Sequence, residues 1–192
     1  MRVGEGGRRE SEPALPDKIS AIDGALTADR IDHAFGGALA LAYYAEPRMT
    51  IDIDVNVFRP PEHHGAVADA LLPLGVVPRD DTAALERDGQ ARWWWNRTPV
   101  DLFFSYDPVH EAMREGVRRV FFGEERIPIL GPEHLMVCKA VYNRPKDWID
   151  IEQMLLLGDD IDRSEVNDWI GRIAGAGDPR SVRLEELLGR DA

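Results

Sequence analysis

Two aspartates one residue apart in an apolar run constrain this chain most: Arg48-Met49-Thr50-Ile51-Asp52-Ile53-Asp54-Val55. A β-strand alternates its side chains, so Ile51, Ile53 and Val55 share one face while Asp52 and Asp54 share the other. The apolar set predicts a core face. The two carboxylates then stand together on the open face, where like charges repel unless a cation joins them. Closely spaced carboxylate oxygens suit Mg²⁺, which is held by one or two carboxylates together with substrate phosphates. The run therefore points to a strand that carries phosphate chemistry.

A third acid extends the pattern. Thr98-Pro99-Val100-Asp101-Leu102-Phe103-Phe104 places one charge inside a second strand-like run, and a lone carboxylate there needs a partner or a metal. If the two strands are neighbours, Asp101 completes a three-carboxylate cluster able to hold two ions roughly 3.5–4 Å apart. The competing reading makes Asp101 a hydrogen-bond acceptor in a Pro99-Val100-Asp101 turn. Upstream, Gly36-Gly37 is either a plain turn or a place where backbone amides approach an anionic triphosphate ahead of a helix.

In this order, Gly36-Gly37, Arg48-x-Thr50-x-Asp52-x-Asp54 and Asp101 resemble the nucleotidyltransferase fold, and within it the AbiEii-type toxins, including the mycobacterial MenT-type enzymes. Those families carry a later lysine and an Arg-x-Lys-Asp-x-x-Asp segment, matched here by Lys139 and by Arg144-Pro145-Lys146-Asp147-Trp148-Ile149-Asp150. The resemblance runs from about residue 33 to residue 155. It implies Mg²⁺-dependent (or Mn²⁺-dependent) transfer of an NMP from an NTP to an acceptor hydroxyl, with the tRNA 3′ end as acceptor. It also implies a toxin with a cognate antitoxin protein as partner. Asp52, Asp54 and Asp101 would be the metal ligands, and Lys139 and Asp150 would join them as catalytic residues. Gly36, Gly37, Arg48, Thr50, Lys139, Arg144 and Lys146 would bind nucleotide. Many members have Ser or Thr near the glycines; this chain has Ala38, and Thr50 would offer the hydroxyl instead.

The expected fold class is α+β: a nucleotidyltransferase-like mixed sheet with flanking helices and a helical carboxyl-terminal part. Residues 1–17, rich in Gly, Glu and Pro, read as a disordered tail, and residues 18–192 as one domain. Periodicity predicts helices over Ile19–Asp32, Ala38–Ala45, His64–Leu72, Asp107–Glu115, His134–Tyr142, Asp147–Leu157, Arg163–Ile173 and Ser181–Leu188. It predicts strands at His33–Phe35, Arg92–Trp95 and Val117–Phe122, besides the two that carry the aspartates. Trp93 and Trp95 should face one way and Trp94 the other.

Acidic residues outnumber basic ones, 35 to 23, for a formal charge of −12, which argues against non-specific nucleic-acid binding. Basic residues do cluster locally, at Arg92 and Arg97 beside the tryptophans and at Arg114, Arg118 and Arg119. No apolar run approaches the roughly 18 residues of a membrane span, and the charged amino-terminal segment lacks a secretory core. With a lone cysteine, Cys138, no internal disulfide can form, and the expected location is the cytoplasm. The acidic charge keeps two other readings open. One is nucleotidylation of a protein or small molecule. The other is a degenerate homologue that binds nucleotide without turnover.

Overall fold

Strands and helices are interspersed through the first two thirds of the chain, and among the described residues helices are the regular elements of the rest. The computed structural model describes residues 12–78, 85, 87–158 and 160–190. Helix α1 (Leu15–Ala28) leads to β1 (His33–Phe35), the short α2 (Gly37–Leu41) and β2 (Ile53–Val57). Next come α3 (His64–Leu71), β3 (Val76–Pro78), β4 (Gln90–Trp95) and β5 (Thr98–Phe104). Helix α4 (Pro108–Glu115) precedes the hairpin β6 (Arg118–Phe122) and β7 (Glu125–Ile129). The chain then runs through α5 (Pro132–Tyr142), α6 (Pro145–Leu157), α7 (Arg163–Ala174) and α8 (Pro179–Leu188). Among the described residues no helix is long and apolar enough to cross a membrane.

The strands form one mixed sheet in the order β3-β4-β5-β2-β1-β7-β6. Two neighbouring pairs are parallel, β2 with β5 and β1 with β7; the others are antiparallel. Alternation divides the sheet's two faces. Ile53, Val55 and Val57 of β2 and Val100, Leu102 and Phe104 of β5 are buried in the core. Asp54 and Asn56, with their register partners Asp101 and Phe103, are turned to the opposite face. Trp93 and Trp95 are buried while Trp94 is half-buried, as their alternation on β4 predicts.

Helix starts follow local chemistry. Pro108, Pro145 and Pro179 occupy first-turn positions, where the missing N–H is no loss. Asp107, Asp162 and Asp178 accept hydrogen bonds from free first-turn amides at 2.9, 3.0 and 2.8 Å. Asn143, at φ 55°, ends α5 in the left-handed conformation and turns the chain directly into α6. Helix α5 packs against α2, α6, α7 and α8.

Several boundaries differ from expectation. Helix α1 is already helical from Leu15 and stops at Ala28, so the part of the expected disordered tail outside the described residues ends at residue 11. Strand β2 begins at Ile53, so Asp52 lies just before it rather than within it. Ile51 is 71% exposed and does not join the core face. Strands β3 and β7 were not expected. Each contains a proline (Pro78, Pro128), which lowers a strand reading from sequence, and each is short.

Candidate active site

Strand pairing sets the carboxylates side by side. Asp54 of β2 is the direct register partner of Asp101 of β5, with the strands parallel, and Asp101 sits mid-strand rather than in a turn. Asp52 follows a local turn in which its own N–H donates to the Thr50 hydroxyl at 3.2 Å. The Thr50 side chain thus orients Asp52. Burial, and then the Asp101 and Asp52 charges, push the Asp54 carboxyl from an ordinary 3.8 up to about 6.

The glycine pair fits tightly against this strand. The Gly36 N–H donates to the Asp54 carbonyl at 2.9 Å. Gly37 has φ +53°, and a β-carbon there would lie 1.7 Å from Asp54 Oδ2. Only glycine can let the chain turn at this point and leave room for the carboxylate. At Gly36 a β-carbon would meet Asn56 Nδ2 at 2.8 Å. The close backbone approach expected of the pair is therefore made to Asp54, and α2 behind it is a single short turn.

Two cation-bearing elements stand across from the sheet. Lys139, buried on α5, donates to Asp150 Oδ2 of α6 at 2.6 Å, and Arg48 Nη2 lies 3.4 Å from the same oxygen. Asp147 has a different task. Fully buried, it accepts the Arg144 N–H at 3.1 Å and its guanidinium Nε at 2.6 Å, closing the first turn of α6. Arg144 and the exposed Lys146 border the same cavity.

That cavity, about 490 Å³, gathers Gly37, Arg48, Thr50, Asp52, Asp54, Asp101, Lys139, Arg144 and Lys146 along its walls. Asp150 meets it only through Lys139 and Arg48. The lining also includes the apolar and aromatic side chains of Phe103, Tyr106, Val109, Met113, Leu135 and Tyr142. Cys138 is half-buried and lines the same cavity. Asn56 and Arg92 also border the cavity and were not foreseen as site members. Asn56 continues the alternation of Asp52 and Asp54 by one more step, a signal present in the sequence. Arg92 of β4 is the register partner of Asp101 and grips both of its oxygens, Nε at 2.6 Å and Nη2 at 2.7 Å. Reading Arg92 only as part of a basic patch missed this pairing, which requires knowing that β4 and β5 are neighbours.

The donor set suits a hard divalent cation: three carboxylates on one wall, with Asp54 carrying repulsion from the other two. With the side chains as placed, no three Asp, Glu, His or Cys groups among the described residues converge as ligands on one point.

The fold is shared with several solved structures. The antibiotic-resistance factor ANT(2'')-Ia in solution is similar at a TM-score of 0.62 and 17% identity, over 89% of this chain and 95% of that one. The lincosamide antibiotic adenylyltransferase LnuA aligns at a TM-score of 0.54 and 12% identity, over 73% of this chain and 96% of that one. An antigenic nucleotidyltransferase-like protein from Paracoccidioides brasiliensis gives 0.53 and 14% identity, over 91% of each. At these identities the likeness is one of fold. No curated protein is similar enough in sequence to match. The family described as nucleotidyl transferase AbiEii toxin, type IV toxin–antitoxin system, matches residues 23–190, a span that holds the glycine pair, both aspartate strands and the α5–α6 corner. On that match the chain belongs to the AbiEii nucleotidyl transferase family, and it is a nucleotidyltransferase.

Proposed function

We propose that this enzyme transfers an NMP from an NTP to the 3′ end of tRNA, and that it does so as the toxin of a toxin–antitoxin pair with a cognate antitoxin. The observation that carries the chemistry is the in-register pair Asp54–Asp101 on the wall of a cavity that Lys139 and Arg48 also border. The resemblance to MenT-type toxins supports the acceptor, and the family match supports the biological role.

Asp52, Asp54 and Asp101 would hold the divalent cation, Mg²⁺ or Mn²⁺. When bound, it supplies Lewis-acid activation and offsets phosphate charge. Lys139, Arg48, Arg144 and Lys146 hold the triphosphate from the opposite wall. The acceptor oxygen attacks the α-phosphorus in line; the new O–P bond forms as the bond to pyrophosphate breaks. Asp101 takes the proton that the hydroxyl gives up. Lys139, kept in place by Asp150, offsets the charge that gathers on the departing oxygens.

The test is incubation with Mg²⁺, each α-labelled NTP in turn, and total tRNA. Label on tRNA with the unchanged protein, reduced at least about 100-fold by Asp52→Ala without a change in melting temperature, is the expected result. Full labelling by the Asp52→Ala protein would overturn the carboxylate assignment. The net charge of −12 and the apolar and aromatic residues that line the cavity favour a second reading, transfer to a protein or small-molecule hydroxyl. Label that appears on added protein or an aminoglycoside instead of tRNA would select it.

A further inference from the structure

Arg92 lies directly against the carboxylates of the site. Its guanidinium forks onto both oxygens of Asp101, at 2.6 and 2.7 Å, and Nη2 also lies 4.0 Å from Asp52 Oδ2. One protein cation therefore bridges two of the three carboxylates assigned to the metal. A two-pronged arginine–carboxylate contact is among the stronger and more directional of charged hydrogen bonds, and it occupies a lone pair on each oxygen. The Arg92 side chain is also 50% exposed and borders the cavity, so it can turn toward solvent or the cavity interior without moving β4.

We propose that Arg92 is a built-in counter-ion that competes with the divalent cation for Asp101 and Asp52, and that on cation entry it swings into the cavity to meet the triphosphate. It is a positioning residue: without metal it fixes the carboxylates, and with metal and nucleotide it changes partner. This inference rests on the assignment of the three carboxylates to the cation.

The argument is one of charge and geometry. Three neighbouring carboxylates repel, and without metal a positive charge beside them relieves that repulsion. Arg92 supplies a single positive charge. A divalent cation supplies two, from a smaller sphere, and coordinates oxygens at about 2.0–2.1 Å for Mg²⁺. The two compete at Asp101: the fork already engages both oxygens, and its positive charge repels an ion arriving at the same carboxylate. Once displaced, the guanidinium is left beside a cavity whose expected ligand carries several phosphate oxygens, to which its planar fork is suited. Removal of Arg92 should therefore move two affinities in opposite directions. Metal should bind more tightly and nucleotide less tightly, a split that general loosening of the fold would not produce.

The experiment is Mn²⁺ titration of the full chain, followed by the loss of the free-ion paramagnetic resonance signal. It compares the unchanged protein with Arg92→Gln, Arg92→Lys and Asp54→Asn, and an ATP titration is run on the same four proteins. The expected result is Mn²⁺ affinity at least fivefold higher in Arg92→Gln and about twofold higher in Arg92→Lys, with ATP affinity in Mn²⁺ reduced at least fivefold in Arg92→Gln. The Lys variant keeps the charge and the stem, so it answers the question if the Gln variant does not fold. Unchanged or weaker Mn²⁺ affinity in the folded Arg92 variants, with binding still lost in Asp54→Asn, would overturn the inference and leave the carboxylate site standing. Mn²⁺ binding that is indifferent to Asp54→Asn would overturn both.

Discussion

Asp54 sits between two other acids, partly removed from water, and its carboxyl titrates at about 6 instead of the ordinary 3.8. Because the folded protein binds this proton more tightly than the unfolded chain, the contribution to stability is complete below about pH 3.8 and is lost as pH rises through about 6. In metal-free buffer, Asp54→Asn should match the unchanged protein near pH 4 and exceed it in stability by on the order of 2 kcal/mol near pH 8. Urea unfolding in chelator at the two pH values measures this; equal stability at pH 8 would contradict it. The variant should at the same time lose transfer activity, the usual exchange between a strained site and a stable one. At this scale much was legible. The spacing of Asp52, Asp54 and Asp101 exposes them in sequence because charges stand out in apolar strands. The purpose of Gly37 was legible only in part. That it leaves space for the Asp54 carboxylate depends on how closely two distant segments approach, and spacing along one chain does not encode this.

The corner between α5 and α6 is the element that supplies the opposing charge. Asn143 reverses the chain, Arg144 and Pro145 start the next helix, and Lys139 meets Asp150 across the turn with both side chains almost fully buried. Loss of one partner leaves the other charge buried with less compensation. Lys139→Met should thus destabilise the protein by about 3 kcal/mol, while Lys139→Met combined with Asp150→Leu should recover most of that loss. Urea denaturation of the two variants and of Asp150→Leu alone completes the cycle, and additivity of the two single changes would contradict direct pairing. Helices of this part were readable because their caps and prolines announce them. Strands β3 and β7 were not, since each is a short segment whose proline speaks against a strand. Only their partners, Trp93–Trp95 for β3 and β6 with β1 for β7, make them strands.

The whole molecule places its carboxylates on the sheet and its opposing cations mainly on helices, and the last two helices complete the support for that second wall. Val166 and Ile170 of α7 and Leu184, Leu187 and Leu188 of α8 are buried, and both helices pack on α5. A chain ended after Leu157 should expose the outer side of α5, lose a cooperative thermal transition and bind an apolar dye; a sharp melt within a few degrees of the full chain would contradict this. The mixed sheet and helical end were foreseen from the order of apolar patterns. The position of Arg92 beside Asp101 was not, because it depends on which strands become neighbours. That sheet order also has a consequence for biosynthesis. β1 is made early yet lies between β2 and β7, and the pair that braces the second wall joins residue 139 to residue 150. Both walls can exist only once residue 150 has been made, so during translation the growing polypeptide carries its aspartates for nearly a hundred further residues without a complete site, and transfer must wait for the segment that holds Lys139 and Asp150.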